Sequence, residues 1–187
     1  EVKNNNQPII KIIMSNVTYS FSQEKPSSYL FKNLNHTFEV GRLNFILGSS
    51  GVGKSTLLDL ISNLVFLKNG EIKFVNSKNQ STSINSKNIS YLNSYLFRNY
   101  ISYVGQSPFI FGESVVFNIS MKNYNDLSNN DHKRILESLN NLNLEVINNK
   151  RGRRLLKSQI GPNGIGLSGG QMQRLSIAKA IYENKPI

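Results

Sequence analysis

Two short strings in this chain have the residue types and spacing to hold phosphate. Gly48-Ser49-Ser50-Gly51-Val52-Gly53-Lys54-Ser55-Thr56 is a glycine-rich turn that ends in a lysine and two hydroxyls. Leu167-Ser168-Gly169-Gly170-Gln171 is a second glycine-rich turn, far along the chain. In the first, the glycines let successive backbone N–H groups curl around an anion without Cβ clashes. Lys54 is spaced to meet the β- and γ-phosphates of a nucleotide, and Ser55 to offer its hydroxyl to Mg²⁺. In the second, Ser168 is a plausible N-cap, and two glycines with a hydroxyl make another anion-binding helix start. Average residue usage gives a chance match to the first pattern on the order of once in a few hundred chains of this length. For the second it is on the order of once in several thousand. An ordinary glycine turn, or a capped helix without a ligand, therefore accounts poorly for finding both in this order.

The first string needs a strand before it and a helix after it. Leu43–Leu47 is a short, mostly apolar run that reads as a buried strand. Leu57, Leu58, Ile61, Leu64 and Val65 then recur at helical spacing, in a helix expected to begin near Lys54 and to add the positive end of its dipole. Leu167–Tyr182 reads as a loop entering a helix, with Met172, Leu175, Ala178 and Ile181 along one side. Further strands are expected at Ile9–Met14, Asn16–Phe21, Glu71–Val75 and Ile101–Val104. Ile135, Leu136, Leu139 and Leu142 repeat at helical spacing after a polar start at Asn129–Asp131, and the Asn-rich stretches 76–93 and 123–130 read as polar loops. Strands around a phosphate loop, followed by a helical block, fit an α/β core with an inserted α-subdomain.

With both strings placed, the chain resembles the nucleotide-binding domain of ATP-binding cassette (ABC) proteins, whose signature is LSGGQ, over almost its whole length. The resemblance supplies a topology that periodicity does not. It implies an α/β P-loop NTPase (RecA-like) core with an antiparallel β-subdomain and an inserted α-helical subdomain, incomplete at the C-terminus. On this reading residues 1–9 are a linker from an upstream membrane domain and 10–187 the cassette. Core and β-subdomain occupy about 10–105, the helical subdomain about 107–170, and the signature with its helix 167–182. The ligands implied are ATP and Mg²⁺, held by Gly48, Ser49, Ser50, Gly51, Val52, Gly53, Lys54, Ser55 and Thr56. Ser168, Gly169, Gly170 and Gln171 would contact the nucleotide held by another subunit, so the implied working unit is a head-to-tail dimer of two such domains.

Other landmarks follow in the family's order. Gln106, within Tyr103–Phe109, matches the Q-loop glutamine, which in the family reaches Mg²⁺ and the attacking water while its loop contacts the transmembrane domain. Phe21 stands where an aromatic stacks on adenine, a position more often Tyr; Tyr19 is expected to face the core instead. Ser158–Gly164 resembles the X-loop of exporters, with Gln159 and Pro162 in place of its two acidic residues. Pro108, Phe111, Phe117 and Asn118 also match the exporter pattern, so export is the expected direction. In the family the residues after Ile187 form the Walker B strand, the D-loop and the switch histidine. These 187 residues alone are therefore expected to turn over ATP poorly, whereas the full-length protein is expected to be an ATPase. His36 and His132 both precede the signature and neither can be that histidine; Asp59 and Glu71 read as a helix-surface residue and a strand start.

Composition bounds the alternatives. A net charge of +11 points towards nucleic acid, but the family's C-terminal portion is acidic, and no nucleic-acid partner is expected. The densest cluster, Lys150, Arg151, Arg153, Arg154 and Lys157, reads as a solvated loop, with anionic lipid or RNA contact as the alternatives. Zero cysteines exclude disulfides and thiolate metal sites and suit a reducing compartment. No stretch approaches 18 consecutive apolar residues and no signal peptide is visible, so nothing here is expected to span a membrane; the resemblance implies a place at the cytoplasmic face of a membrane, beside the transmembrane domain. Two rival functions stand beside a transporter: a soluble ABC ATPase of translation or DNA repair, and a degenerate cassette that binds ATP as a regulatory module. Repair-type relatives place long heptad coiled coils between the two motifs, and none is visible here.

Overall fold

A computed structural model describes residues 8–21, 29–85, 99–147, 150–161 and 164–187. The chain forms two compact units, Glu1–Ile101 with Pro186–Ile187, and Ser102–Lys185.

The first unit is built on an antiparallel sheet in the order β2-β1-β3-β4. The strands are β1 (Ile9–Tyr19), β2 (Phe31–Glu39), β3 (Asn69–Asn76) and β4 (Ser81–Asn85). Ile12 sits opposite Phe38 on one side and Phe74 on the other, and Met14 opposite His36 and Ile72. Such rows of apolar cross-strand neighbours fix the register, because a slip by one residue would turn them all to solvent. Helix α1 (Lys54–Ile61) adds Leu60 and Ile61 to the same core, with Val17 and Leu67. The opposite sheet face carries the ion pairs Lys11–Glu39 and Lys73–Glu71.

Several expectations change here. The strands expected at Ile9–Met14 and Asn16–Phe21 are one strand, bulged at Asn16 (φ 51°) and ending at Tyr19. The bulge is tied down by side chains. The Asn16 amide donates to Asn35 Oδ1 (2.8 Å), and the Asn33 amide, itself at φ 53°, to Thr18 Oγ1 (3.2 Å). These bonds satisfy groups that the broken ladder leaves open. The polar run expected to be loop from residue 76 includes β4, paired to β3 as an edge strand; the rest of it, 86–93, lies outside the described residues, as do 1–7 of the expected linker. Leu43–Leu47 and Ile101–Val104 are not strands. A strand persists only where a neighbour takes up its N–H and C=O groups, and no described strand pairs with either segment. In the first, Ile46 packs on the core while Leu43, Phe45 and Leu47 are 81%, 75% and 87% exposed. All of that run but Asn44 is apolar, the composition of a strand buried on two sides. Helix α1 also ends at Ile61, before Leu64 and Val65, and leaves Leu58 exposed.

The second unit is helical: α2 (Val115–Ser120), a 3₁₀ turn at Tyr124–Asp126, α3 (Asn129–Asn141), α4 (Gly152–Leu156) and α5 (Gly169–Glu183). Ile135 and Leu139 of α3 meet Val115, Val116 and Ile119 of α2, Leu155 and Leu156 of α4, and Leu175 and Ala178 of α5. Ile181, which spacing puts along one side of α5 with Leu175 and Ala178, is exposed. Ser128 and Asp131 cap α3 reciprocally. The Asp131 carboxylate also accepts from Tyr182 Oη (3.3 Å), while Arg134 donates to the Tyr182 carbonyl (2.8 Å), so the start of α3 is tied to the end of α5. The hydrogen bonds from the Ser128 side chain and backbone, then from Tyr182, with the charge of Arg134, hold the Asp131 carboxyl below its ordinary range. Burial first, then the Asp131 charge, pushes the Tyr182 phenol up. Of the basic cluster expected as a loop, Arg153 and Arg154 lie in helix α4 and face solvent, Arg151 and Lys157 flank it at its caps, and Leu155 and Leu156 anchor it.

Candidate functional site

In the first unit the chain turns through Gly48–Gly53 into α1. Gly51 (φ +81°) and Gly53 (φ +101°) occupy the left-handed region, which side chains with a Cβ rarely adopt. Gly53 is also hemmed in: a Cβ there would lie 2.9 Å from Phe31 Cζ and 3.0 Å from Leu30 Cδ2. It stands at the N-cap of α1 and has no side chain to cap with, so the N-cap residue leaves the first N–H groups of this helix uncapped. No acidic residue occupies the first turn. Uncapped N–H groups, the dipole and a cation make this turn a site for an anion. The cation is Lys54, whose Nζ donates to the carbonyls of Gly48 (2.8 Å) and Ser49 (2.7 Å), spanning the turn from within. Phosphate oxygens can replace those carbonyls as acceptors.

Ser49, Ser50 and Val52 lie on the exposed turn, Ser55 is exposed in the first helical turn, and Thr56 is half-buried behind it. Among the described residues no group of three or more His, Asp or Glu could cage a metal ion. A single exposed hydroxyl fits Mg²⁺ that arrives on phosphate oxygens and keeps its waters, the usual manner of Mg²⁺ at nucleotides. Phe21 lies just past β1, 74% exposed, with its ring 5.3 Å from that of Tyr19 in an edge-to-face arrangement. Leu30 and Phe31, which abut Gly53, were invisible to motif reading; only the three-dimensional pairing of β2 brings them to the turn.

In the second unit, Ser168 caps α5. Its Oγ accepts from the Gln171 amide (3.3 Å), and Gln171 Oε1 accepts from the Ser168 amide (2.9 Å). The reciprocal role of Gln171 is absent from the sequence expectations, although the S-x-x-Q spacing carries its signal. The intrahelical ladder opens with the Met172 amide donating to the Ser168 carbonyl (2.9 Å). The box thereby leaves the Gly169 and Gly170 N–H groups without an intrahelical partner. Neither glycine has positive φ. A Cβ on Gly169 would meet nothing within 4 Å, and on Gly170 only Arg174 Nη1 at 3.7 Å. Among the described residues nothing requires glycine at either position.

Gln106 is exposed, and the carbonyl of its neighbour Gly105 accepts from Gln173 Nε2 of α5 (3.3 Å). The segment after Gln106 is organised by buried Asn118. Its Oδ1 accepts from the Phe111 amide (2.8 Å), and its Nδ2 donates to the carbonyls of Phe111 (3.1 Å) and Ser114 (3.0 Å). Phe109, Phe111 and Phe117 stand edge-to-face along it, and Phe109 is largely exposed. Within Ser158–Gly164, the Ile160 amide donates to the Glu113 carbonyl (3.0 Å) and the Val115 amide to the Ser158 carbonyl (3.0 Å). That places Gln159 beside the segment that follows Gln106, whereas Pro162 lies outside the described residues. The structure thus groups the phosphate-loop residues with Phe21 in the first unit, and Gln106 with Ser168–Gln171 in the second.

The profile of the family described as ABC transporter matches residues 31–187. The chain is 31% identical over 185 residues to the alpha-factor-transporting ATPase of Saccharomyces cerevisiae, covering 94% of this chain and 13% of that protein. It is 30% identical over 169 residues to the ATP-dependent lipid A-core flippase of Coxiella burnetii, covering 90% and 26%. With ABC transporter B family member 4 of Dictyostelium discoideum it shares 31% identity over 165 residues, covering 87% and 19%. The chain therefore spans well under a third of the length of these relatives. In fold it resembles a bacterial Atm1-family ABC exporter solved with ATP bound, at a TM-score of 0.70 and 20% identity, covering 97% of this chain and 29% of that one.

Proposed function

The chain belongs to the ABC transporter family, and from that premise we propose that it is the ATP-binding unit of an export-type transporter, coupling binding and hydrolysis of ATP to transport across a membrane. Lys54 and the N–H groups at the start of α1 hold the triphosphate, Ser55 meets its Mg²⁺, and Phe21 stacks on the base. The metal, when bound, neutralises charge on the β- and γ-phosphates during transfer. Gly169 and Gly170, with Ser168 and Gln171, close on the nucleotide of a second copy, and two nucleotides are enclosed by a head-to-tail pair. Gln106 answers the nucleotide's state and passes it to a transmembrane partner along the aromatic segment held by Asn118. No helix among the described residues is long and apolar enough to cross a membrane; membership in the export-type family is what supports placing this domain at the cytoplasmic face, beside the transmembrane part.

One observation carries the reading: two glycines open a helix start, although neither backbone conformation nor neighbouring atoms demand them. A Gly costs roughly 0.5–1 kcal/mol against Ala inside a helix, so a close approach from outside the chain is the physical reason to keep two. Titration calorimetry of the full-length protein with Mg-ATP tests the first half of the proposal. Uptake that Lys54→Ala removes is expected; no uptake, or uptake indifferent to that change, contradicts it.

A further inference from the structure

The family resemblance names an aromatic for stacking but not what holds it. Phe21 is mostly exposed, and an exposed ring beyond a strand end loses rotamer freedom when a base stacks on it. The feature that removes this freedom in advance is Tyr19. Its ring packs against the first unit's core and meets Phe21 edge-to-face at 5.3 Å and 82°. An edge-to-face pair leaves at least one face of Phe21 open to a base. The backbone of Tyr19 does a second job: its carbonyl accepts from the Leu30 amide (2.9 Å), and it stands opposite Phe31 in the sheet register. Leu30 and Phe31 are the side chains against Gly53. A continuous chain of contacts thus runs from Phe21 through Tyr19, Leu30 and Phe31 to the turn that carries Lys54.

We propose that Tyr19 is the positioning residue of the nucleobase platform, holding Phe21 in place for stacking, with its backbone pinning Leu30 and Phe31 beside the phosphate turn. This rests on the nucleotide-binding reading above. Because the Tyr19 ring acts on the base alone, its loss weakens nucleotide binding without weakening triphosphate binding. A purely structural residue of the first core would weaken both.

The test compares Mg-ATP with Mg-tripolyphosphate, which has no base, by calorimetry on the full-length protein. Tyr19→Leu keeps an apolar side chain and removes the ring. It is expected to weaken ATP by about fivefold and leave tripolyphosphate unchanged. Tyr19→Phe keeps the ring edge and is expected to restore ATP affinity. In a Phe21→Ala background, which itself loses about tenfold for ATP, Tyr19→Leu is expected to add nothing, since coupled residues are non-additive. If Tyr19→Leu proves unstable, Tyr19→Met supports the same comparison. Equal losses for both ligands, no loss for either, or full additivity with Phe21→Ala would each overturn the proposal. A wild-type protein that binds neither ligand would instead remove the nucleotide reading on which it stands.

Discussion

The two glycine-rich turns differ in why they need glycine. At Gly51 and Gly53 the reason lies inside the chain: both have positive φ, and Gly53 is pressed by Phe31 and Leu30. At Gly169 and Gly170 the described residues supply no reason, since both sit in ordinary helical backbone with room for a Cβ. Residue type alone does not separate these cases, yet they predict opposite responses to the same substitution. A glycine kept for folding shows itself in stability. A glycine kept for an approaching ligand shows itself only when the ligand is present.

The largest effect expected is on affinity at the first turn. Lys54→Ala removes charge-assisted bonds to phosphate worth about 3 kcal/mol, or on the order of 100-fold in Kd for Mg-ATP. The folded state itself should change by less than about 1 kcal/mol, because the Lys54 bonds to Gly48 and Ser49 are exposed. Calorimetry and thermal melts of the same variant check both halves. Next is Gly53→Ala, where strained φ and a 2.9 Å approach predict about 2–3 kcal/mol of destabilisation with or without nucleotide. A melting temperature unchanged in Gly53→Ala would erase the contrast between the two turns. Asn118→Ala should cost about 2 kcal/mol, measured by denaturant unfolding, since it strands the partly buried Phe111 amide and carbonyl in the segment after Gln106.

The smallest effect is a pH dependence in the second unit, at the start of α3. The Asp131 carboxyl is held below its ordinary 3.8 by Ser128, Tyr182 and Arg134. Its contribution to stability is therefore present above that value and is lost as pH falls through the depressed one. Asp131→Asn should lower the melting temperature near neutrality, and the difference should close in strong acid. A difference that stays constant through the acid range would show that the tie between α3 and α5 does not depend on this charge.

Local chemistry was legible in the sequence, and long-range pairing was not. The glycine-rich turn into α1, the Ser168 cap and the stripe of Ile135, Leu136, Leu139 and Leu142 follow from short-range spacing, and the structure has a turn, a cap and an inward helix face there, with Leu136 and Leu142 at its partly buried margin. β2 was missed because Phe31–Glu39 carries Asn33, Asn35 and His36 and shows no clean alternation; its pairing with Ile12 and Met14 makes it a strand. β4 was hidden for a similar reason, as Ser81–Asn85 is polar and gains its ladder from β3. Leu43–Leu47 failed in the opposite sense, apolar enough for a buried strand yet without a described neighbour to pair with. At the site, Leu30 and Phe31 behind Gly53 could not be read from any motif, because 22 or more positions separate them from it and only the sheet closes that distance.

The account turns on the second pair of glycines facing something outside their own chain. Sedimentation velocity of the full-length protein with Mg-ATP, comparing wild type with Gly170→Ala, tests this most directly. The account predicts a nucleotide-driven dimer in the wild type, lost in the variant, while the variant melts no lower and binds ATP as monomer with unchanged affinity. A Gly170→Ala protein that still dimerises with ATP, or that melts several degrees lower without it, would contradict the account.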